Sequence, residues 1–256
     1  MIMLFNETVF GPIHSRRLGV SLGINLLPLE SKLCNFNCIY CECGWNTKDK
    51  NKKFNLRDEI KLHLELKLKS MNAENRYPDS ITFSGNGEPT MHPEFYAIID
   101  DTLMLRNKYA PNAKISVLSN ATMLANANVV AALLKIDNAI LKLDSGINET
   151  AIMINKPQFT YSIDKIIEHM QIFKHRMILQ TMFLRGIYDG KEIDNTTETE
   201  IQAWLNAIQK IEPREIMIYT IDRKTPADSL QKISFAELDS IAELARKSGY
   251  KVQAAK

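Results

Sequence analysis

Cys34, Cys38 and Cys41 share one eight-residue stretch, CNFNCIYC, and this C-x3-C-x2-C spacing is a metal-ligand set one donor short of complete. A 4Fe-4S cluster normally takes four thiolates. Three thiolates leave one iron with an open coordination position, and an open position marks a metal that does chemistry rather than only holding a fold. A structural zinc site would usually draw its ligands as two separated pairs, and no second pair follows here. A disulfide framework suits small secreted domains, not a 256-residue chain whose four cysteines crowd into one loop. The fourth, Cys43, stands two residues past Cys41 as a ligand, a guard or a bystander; the bystander is the default, because a thiol becomes functional only in suitable surroundings. A non-catalytic iron-sulfur electron carrier with a fully ligated metal remains the alternative from a different class.

These thiols need a scaffold, and the chain alternates β-rich runs with helical stretches. Residues 20–26, 80–85, 114–120, 138–144, 177–184 and 215–220 read as strands, with a weaker run near residue 250. Helices are expected over 56–70, 93–108, 126–135, 162–174, 197–211 and 235–247, the last capped by Ser234 and stopped by Gly249. Repeated strand-helix units require right-handed crossovers and a parallel sheet. The expectation is therefore an α/β fold, a partial (βα)6 TIM-like barrel with parallel strands. It would form one domain over residues 1–256, with 1–19 as an N-terminal extension and 20–256 as the partial barrel. Ligands in such folds gather at the carboxyl ends of the strands.

The unusual polar residues fall at that edge. Gly85-Asn86-Gly87-Glu88-Pro89 follows the second strand, and its glycines and proline suit a turn that presents carbonyls to a cationic group. Ser119 and Asn120 end the third strand with small hydrogen-bonding groups. Lys142 and Asp144, two apart at the end of the fourth, point to one face, where Asp144 suits ribose hydroxyls and Lys142 a carboxylate. Gln180 lies in the fifth strand and Tyr219 in the sixth. Arg16, Arg17, Arg185 and Arg223, with Asp222, flank strands, and arginine forks can pair with phosphate or carboxylate; surface ion pairs explain them equally well. His14 and His92 are candidates for proton transfer, although histidines beside prolines or turns are more often structural hydrogen bonders.

The cysteine loop resembles that of the radical S-adenosylmethionine (SAM) superfamily, C-x3-C-x-aromatic-C, with Tyr40 in the aromatic position. The resemblance implies that Cys34, Cys38 and Cys41 hold one 4Fe-4S cluster and that SAM chelates the remaining iron. It further implies that SAM is cleaved reductively to a 5′-deoxyadenosyl radical that abstracts hydrogen from a substrate, chemistry carried by the cofactors. It places Tyr40 beside adenine and Gln180 and Tyr219 at the ribose or adenine. Residues 85–88 are similar to the family's GGEP segment, which binds the SAM amino group, with Asn86 in place of the usual glycine. GPIHSRRLGVSLGINLLP, FSGNGEPTMHPEF, VLSNATML, ILKLDSG, LQTMFLRG and IYTIDRKTPADSL are similar to a compact iron-sulfur oxidoreductase-like subgroup grouped with wyosine-type tRNA-modifying synthetases. Relatives of that kind, and maturases of peptides and sulfatases, carry further clusters; four cysteines cannot furnish two complete ones. RNA or nucleoside modification leads the substrate expectations, ahead of a peptide or small metabolite.

Composition agrees with such an enzyme. With 45% apolar residues the chain can bury one substantial core. A net charge of +2, from 32 basic and 30 acidic residues, gives no reason by itself to expect nucleic acid or a membrane. The basic run holding Lys48, Lys50, Lys52 and Lys53 reads as a solvated loop. The first twelve residues lack a signal-peptide pattern, and no segment approaches the roughly 20 apolar residues of a membrane span. A cytoplasmic protein is expected, where thiols stay reduced. With no flavin motif in the chain, an external flavodoxin- or ferredoxin-like donor is expected to supply electrons.

Overall fold

The computed structural model describes residues 3–15, 17–47 and 53–255. Seven strands run parallel: β2 (Gly19–Ile24), β3 (Ser80–Phe83), β4 (Lys114–Ser119), β5 (Asn138–Lys142), β6 (Ile178–Tyr188), β8 (Glu215–Thr220) and β10 (Val252–Ala254). They pair in the order β2-β3-β4-β5-β6-β8-β10, an unclosed sheet consistent with a partial TIM-like barrel. Helices α1 (Arg57–Ala73), α2 (Phe95–Tyr109), α3 (Ala127–Lys135), α5 (Ile163–Met170), α6 (Glu198–Ile211) and α7 (Phe235–Lys247) are the six expected from periodicity. Ser234 Oγ accepts from Glu237 N at 3.2 Å, and Gly249 takes a φ of 90° where α7 stops.

Successive strand residues face opposite sides, and the two sides are chemically different. Leu22, Ile24, Ile81, Phe83, Ile115, Val117, Leu141, Leu179, Ile216 and Ile218 are buried in the main core together with residues of all six of these helices. Helices cover this face, so it is continuously apolar along the sheet. The alternate positions carry hydroxyls: Ser21 bonds Thr82 at 2.8 Å, Thr82 bonds Ser80 at 3.0 Å, and Ser80 bonds Ser116 at 2.9 Å. Asn138 donates to Ser116 at 3.1 Å and extends the ladder to β5. Beyond it the same face is a small apolar cluster of Ile140, Ile178 and Met217. Each buried hydroxyl has a partner, as burial requires.

Four elements were not foreseen. β1 (Val9–Ser15), expected as part of an N-terminal extension, pairs antiparallel with β2 and extends the sheet at that edge. The Gly-Pro pair within it disguises a strand, since proline is tolerated only at edges and bulges, and the register does shift between Phe10 and Ile13. β6 runs on past its expected end at residue 184 and pairs antiparallel with β7 (Lys191–Asp194) and β9 (Leu230–Lys232). The short helix α4 (Asn148–Asn155) follows β5.

Candidate active site

The cysteine loop follows β2 and is fastened on three sides. Toward β3, Leu33 N donates to Asn86 O at 2.8 Å and Glu88 N to Leu33 O at 3.2 Å. Toward α4, Asn37 N donates to Asn155 O at 3.0 Å and Ile39 N to Ile154 O at 3.0 Å, so the unforeseen helix end works as an edge strand for the loop. Within the loop, Asn46 Nδ2 donates to the carbonyls of Cys34 (2.9 Å) and Phe36 (3.0 Å). Cys34, Cys38 and Cys41 all line one cavity of about 230 Å³ with Tyr40, Gly85, Gly87, Glu88, Ser119, Asn120, Lys142, Gln180 and Tyr219. Of the site residues read from the sequence, the cavity lining omits two, Asn86 and Asp144.

Asp144 is fully buried beneath the site and holds it together. Its carboxylate accepts from the Tyr40 hydroxyl at 2.7 Å and from Met182 N at 3.1 Å, and pairs with Lys142 at 3.0 Å. Burial, with the Asp144 charge beside it, keeps the Tyr40 phenol well above its ordinary pKa and pushes Tyr219 up to about 12. Lys142 Nζ also donates to Cys38 Sγ at 3.3 Å and to Asn155 Oδ1. Burial disfavours the Lys142 charge, but Asp144 and Cys38 more than reverse this and raise its pKa.

Glu88 forms a second knot. Its carboxylate accepts from Thr90 N (3.0 Å), Thr90 Oγ1 (2.5 Å), Ser119 Oγ (2.9 Å) and Asn120 N (2.6 Å), which locks the ends of β3 and β4 to each other. Burial outweighs these bonds and raises its pKa. Asn120 turns its amide toward Cys34 Sγ at 3.7 Å and Asn35 Oδ1 at 2.7 Å. Of the turn's carbonyls, that of Gly85 faces Cys43 Sγ at 3.4 Å and that of Asn86 accepts Leu33 N. Gly87 has a φ of 142°, and a Cβ there would stand 1.9 Å from Leu33 O, so the approach of loop to turn requires glycine.

Asn86, which departs from the glycine of the resembled segment, is a latch. Its side chain accepts from Phe5 N at 2.8 Å and donates to Phe5 O (2.9 Å), Pro28 O (2.7 Å) and Leu29 O (3.2 Å). Restoring glycine by Asn86→Gly strands these buried groups, at about 1–3 kcal/mol. The expected result is a lower urea midpoint and faster proteolytic clipping of the segment ahead of β1.

The thiols are electrostatically unequal. Burial pushes Cys34 up to about 12 and Cys38 upward. Cys41, hydrogen-bonded by Cys43 and placed near the Lys32 ammonium, falls to about 5, while Cys43 rises in exchange. Cys43 thus touches both Cys41 and the Gly85 turn. Two residues that sequence reasoning overlooked stand in this network, Lys32 and Asn155. Nothing in local sequence separates either from a surface lysine or a helix-end asparagine.

The remaining expectations resolve into ordinary contacts. Arg185 pairs with Asp194 (3.2 Å) and Glu237, Arg223 with Glu42 (2.6 Å), and Asp222 with Lys232 (3.7 Å). Arg17 starts from the amino end of β2, opposite the expected mouth, and lays its guanidinium 4.7 Å from the centre of the Tyr219 ring. His92 uses both nitrogens in the backbone, toward Asn55 O at 2.9 Å and Glu94 N at 3.1 Å, and His14 is exposed on β1. Lys53 is exposed; Arg16, Lys48, Lys50 and Lys52 lie outside the described residues. Among the described residues no helix is long and apolar enough to cross a membrane, and no group of three His, Cys, Asp or Glu side chains is arranged to hold a single metal ion.

A parallel, unclosed α/β sheet with a three-thiol loop after its first parallel strand, opening on a cavity at the carboxyl edge, has the layout of a radical SAM enzyme. Residues 31–199 match the Radical SAM superfamily, and the chain belongs to that superfamily. A Brachyspira hyodysenteriae protein named GTPase Obg is 30% identical over 240 residues, covering 92% of this chain and 33% of that protein. The chain likewise spans 58% of the length of another curated relative. Among solved structures, a radical SAM methyltransferase from Sphaerobacter thermophilus superposes with a TM-score of 0.67 at 11% identity, covering 91% of this chain and 65% of that one. Archaeal TYW1 superposes with a TM-score of 0.53 at 14% identity, covering 89% of this chain and 71% of that one. These structures share the fold.

Proposed function

We propose that this enzyme uses one 4Fe-4S cluster, held by Cys34, Cys38 and Cys41, to cleave SAM and abstract hydrogen from a substrate. The single observation that carries the reading is the convergence of these three thiols, without a fourth cysteine on the lining, onto a cavity shared with four strand ends. The donor set fits a cluster: thiolates are its usual ligands, and Lys32 and Lys142 supply buried positive charge beside them. A cluster held there would supply the electron for reductive cleavage of SAM.

The chain's own residues bind, orient and shield. Tyr40, fixed by Asp144, offers a ring to adenine. Gly85 and Gly87 would offer backbone to the SAM amino group, Lys142 would suit its carboxylate, and Ser119, Asn120, Gln180 and Tyr219 complete the walls of the cavity. Glu88, with its oxygens already engaged by β4, positions that wall, and Asn86 and Asp144 act from behind it. The β6-β7-β9 extension packs Met182, Leu184, Ile193 and Leu230 against the cysteine loop and limits water there.

Cys41 also lines an outward groove with Glu42, Trp45, Lys224 and Pro226, a route by which a flavodoxin- or ferredoxin-like donor reaches the thiol loop. A reducing cytoplasm suits these ligands. RNA or a nucleoside is the first substrate class to search, on the subgroup resemblance of the sequence. The test is the electron paramagnetic resonance (EPR) spectrum of the anaerobically reconstituted, reduced protein with and without SAM. A spectrum altered by SAM supports an open iron; an unaltered spectrum favours a fully ligated electron carrier.

A further inference from the structure

The partial barrel has a second mouth, at the amino edge of the sheet. The first residues of six parallel strands, Ser80, Lys114, Asn138, Ile178, Glu215 and Val252, line a cavity there of about 570 Å³. That is within the usual size of a small-molecule pocket. Leu18, Ile178 and Met217 pack together as its apolar lining. Its charged lining is four cations, Arg17, Lys114, Arg214 and Lys251, against two carboxylates, Asp79 and Glu215, a net of +2. Both carboxylates are engaged: Asp79 accepts from Val20 N at 2.8 Å, and Glu215 pairs with Lys251 at 3.2 Å. Lys114 pairs with Asp137 at 3.5 Å. Arg214 spends its fork on neutral oxygens, Asp137 O at 3.2 Å and Asn138 Oδ1 at 2.7 Å, and no carboxylate among the described residues neutralises it. Arg17 is left shorter still. Its guanidinium lies 4.7 Å from the centre of the Tyr219 ring, and its Nη1 is buried with no hydrogen-bond partner among the described residues. The ring attracts the charge but leaves that N–H without an acceptor, and a buried donor without one is costly.

We propose that this amino-edge cavity binds a small phosphate monoester, with the phosphate on Arg17 and Arg214 and the rest of the ligand against Leu18, Ile178 and Met217. An arginine fork matches phosphate oxygens. A phosphate monoester carries about −1.5 to −2 at neutral pH, which matches the charge left over on the lining. No cysteine lines this cavity, so the inference does not rest on the proposed cluster.

The test is isothermal titration calorimetry of the full chain, with phenyl phosphate as the probe and benzoate as the carboxylate comparison. Phenyl phosphate is expected to bind the wild type with a Kd below about 1 mM, and benzoate at least tenfold more weakly. Arg17→Gln and Arg214→Gln should each weaken phenyl phosphate at least tenfold, and Arg17→Lys, which keeps the charge, should weaken it less than Arg17→Gln. Arg223→Gln, on the opposite edge of the sheet, should leave it unchanged. A wild type that does not bind phenyl phosphate overturns the inference. Undiminished binding by Arg17→Gln also overturns it and assigns Arg17 to packing on Tyr219. Benzoate binding as tightly as phenyl phosphate contradicts the monoester, and an equal loss in Arg223→Gln reduces the effect to diffuse charge. If circular dichroism shows Arg17→Gln to be unfolded, Arg214→Gln, which alters an exposed side chain, carries the comparison.

Discussion

Alanine at Cys34, Cys38 or Cys41 is expected to remove the iron-sulfur cluster, with bound iron falling from about four per chain to background in each variant. Two thiolates cannot hold three irons, and the side chains bonded to Cys34 and Cys38 are no replacement: Asn155 and Asn120 offer neutral amides, and Lys142 offers a cation. Cys43 is the discriminating control. Its sulfur donates to Gly85 O and Cys43 is not among the lining residues, so Cys43→Ala should retain most of the iron. Iron and sulfide analysis with the visible absorption spectrum checks this. A normal cluster in Cys38→Ala would refute the ligand assignment, and full loss in Cys43→Ala would make Cys43 a ligand.

The second large effect is expected at Asp144. Asp144→Ala leaves the Lys142 ammonium buried without its carboxylate and the Tyr40 hydroxyl without its acceptor. Breaking a buried pair from one side costs about 3–5 kcal/mol. For a chain of this size that corresponds to a fall in Tm of roughly 10 °C. The double variant Asp144→Ala with Lys142→Met should recover part of the loss, because removing both charges is far less harmful than stranding one. Thermal unfolding of the apoprotein measures both. A double variant as unstable as the sum of the singles would show that the pair is not the origin of the effect.

Much of the scaffold was legible because parallel strands and amphipathic helices leave local signatures. Phe235–Lys247 carries its own cap and stop, and the helix forms over those residues. Glu215–Thr220 is a β-rich run that becomes β8 without change. What escaped depends on distant partners. β7 and β9 have four and three residues, rich in charge, and exist because β6 overruns the sheet to meet them. α4 has eight residues, and its value lies in the carbonyls it gives Asn37 and Ile39.

At the site, residue types at strand ends located the cavity wall, since parallel topology sends those ends to one edge. Local sequence does not convey direction of reach. Asp144 and Asn86 sit at the right edge yet turn away from the cavity, one toward Tyr40 and the other toward Phe5. Lys32 looks like any solvated lysine until tertiary packing buries it with its ammonium on Gly44 O.

The most direct measurement is formation of 5′-deoxyadenosine when the anaerobically reconstituted protein is reduced and given SAM, compared with Cys38→Ala. The account predicts 5′-deoxyadenosine that depends on reductant, on SAM and on all three cysteines. An intact wild-type cluster that neither binds SAM nor yields 5′-deoxyadenosine would contradict it.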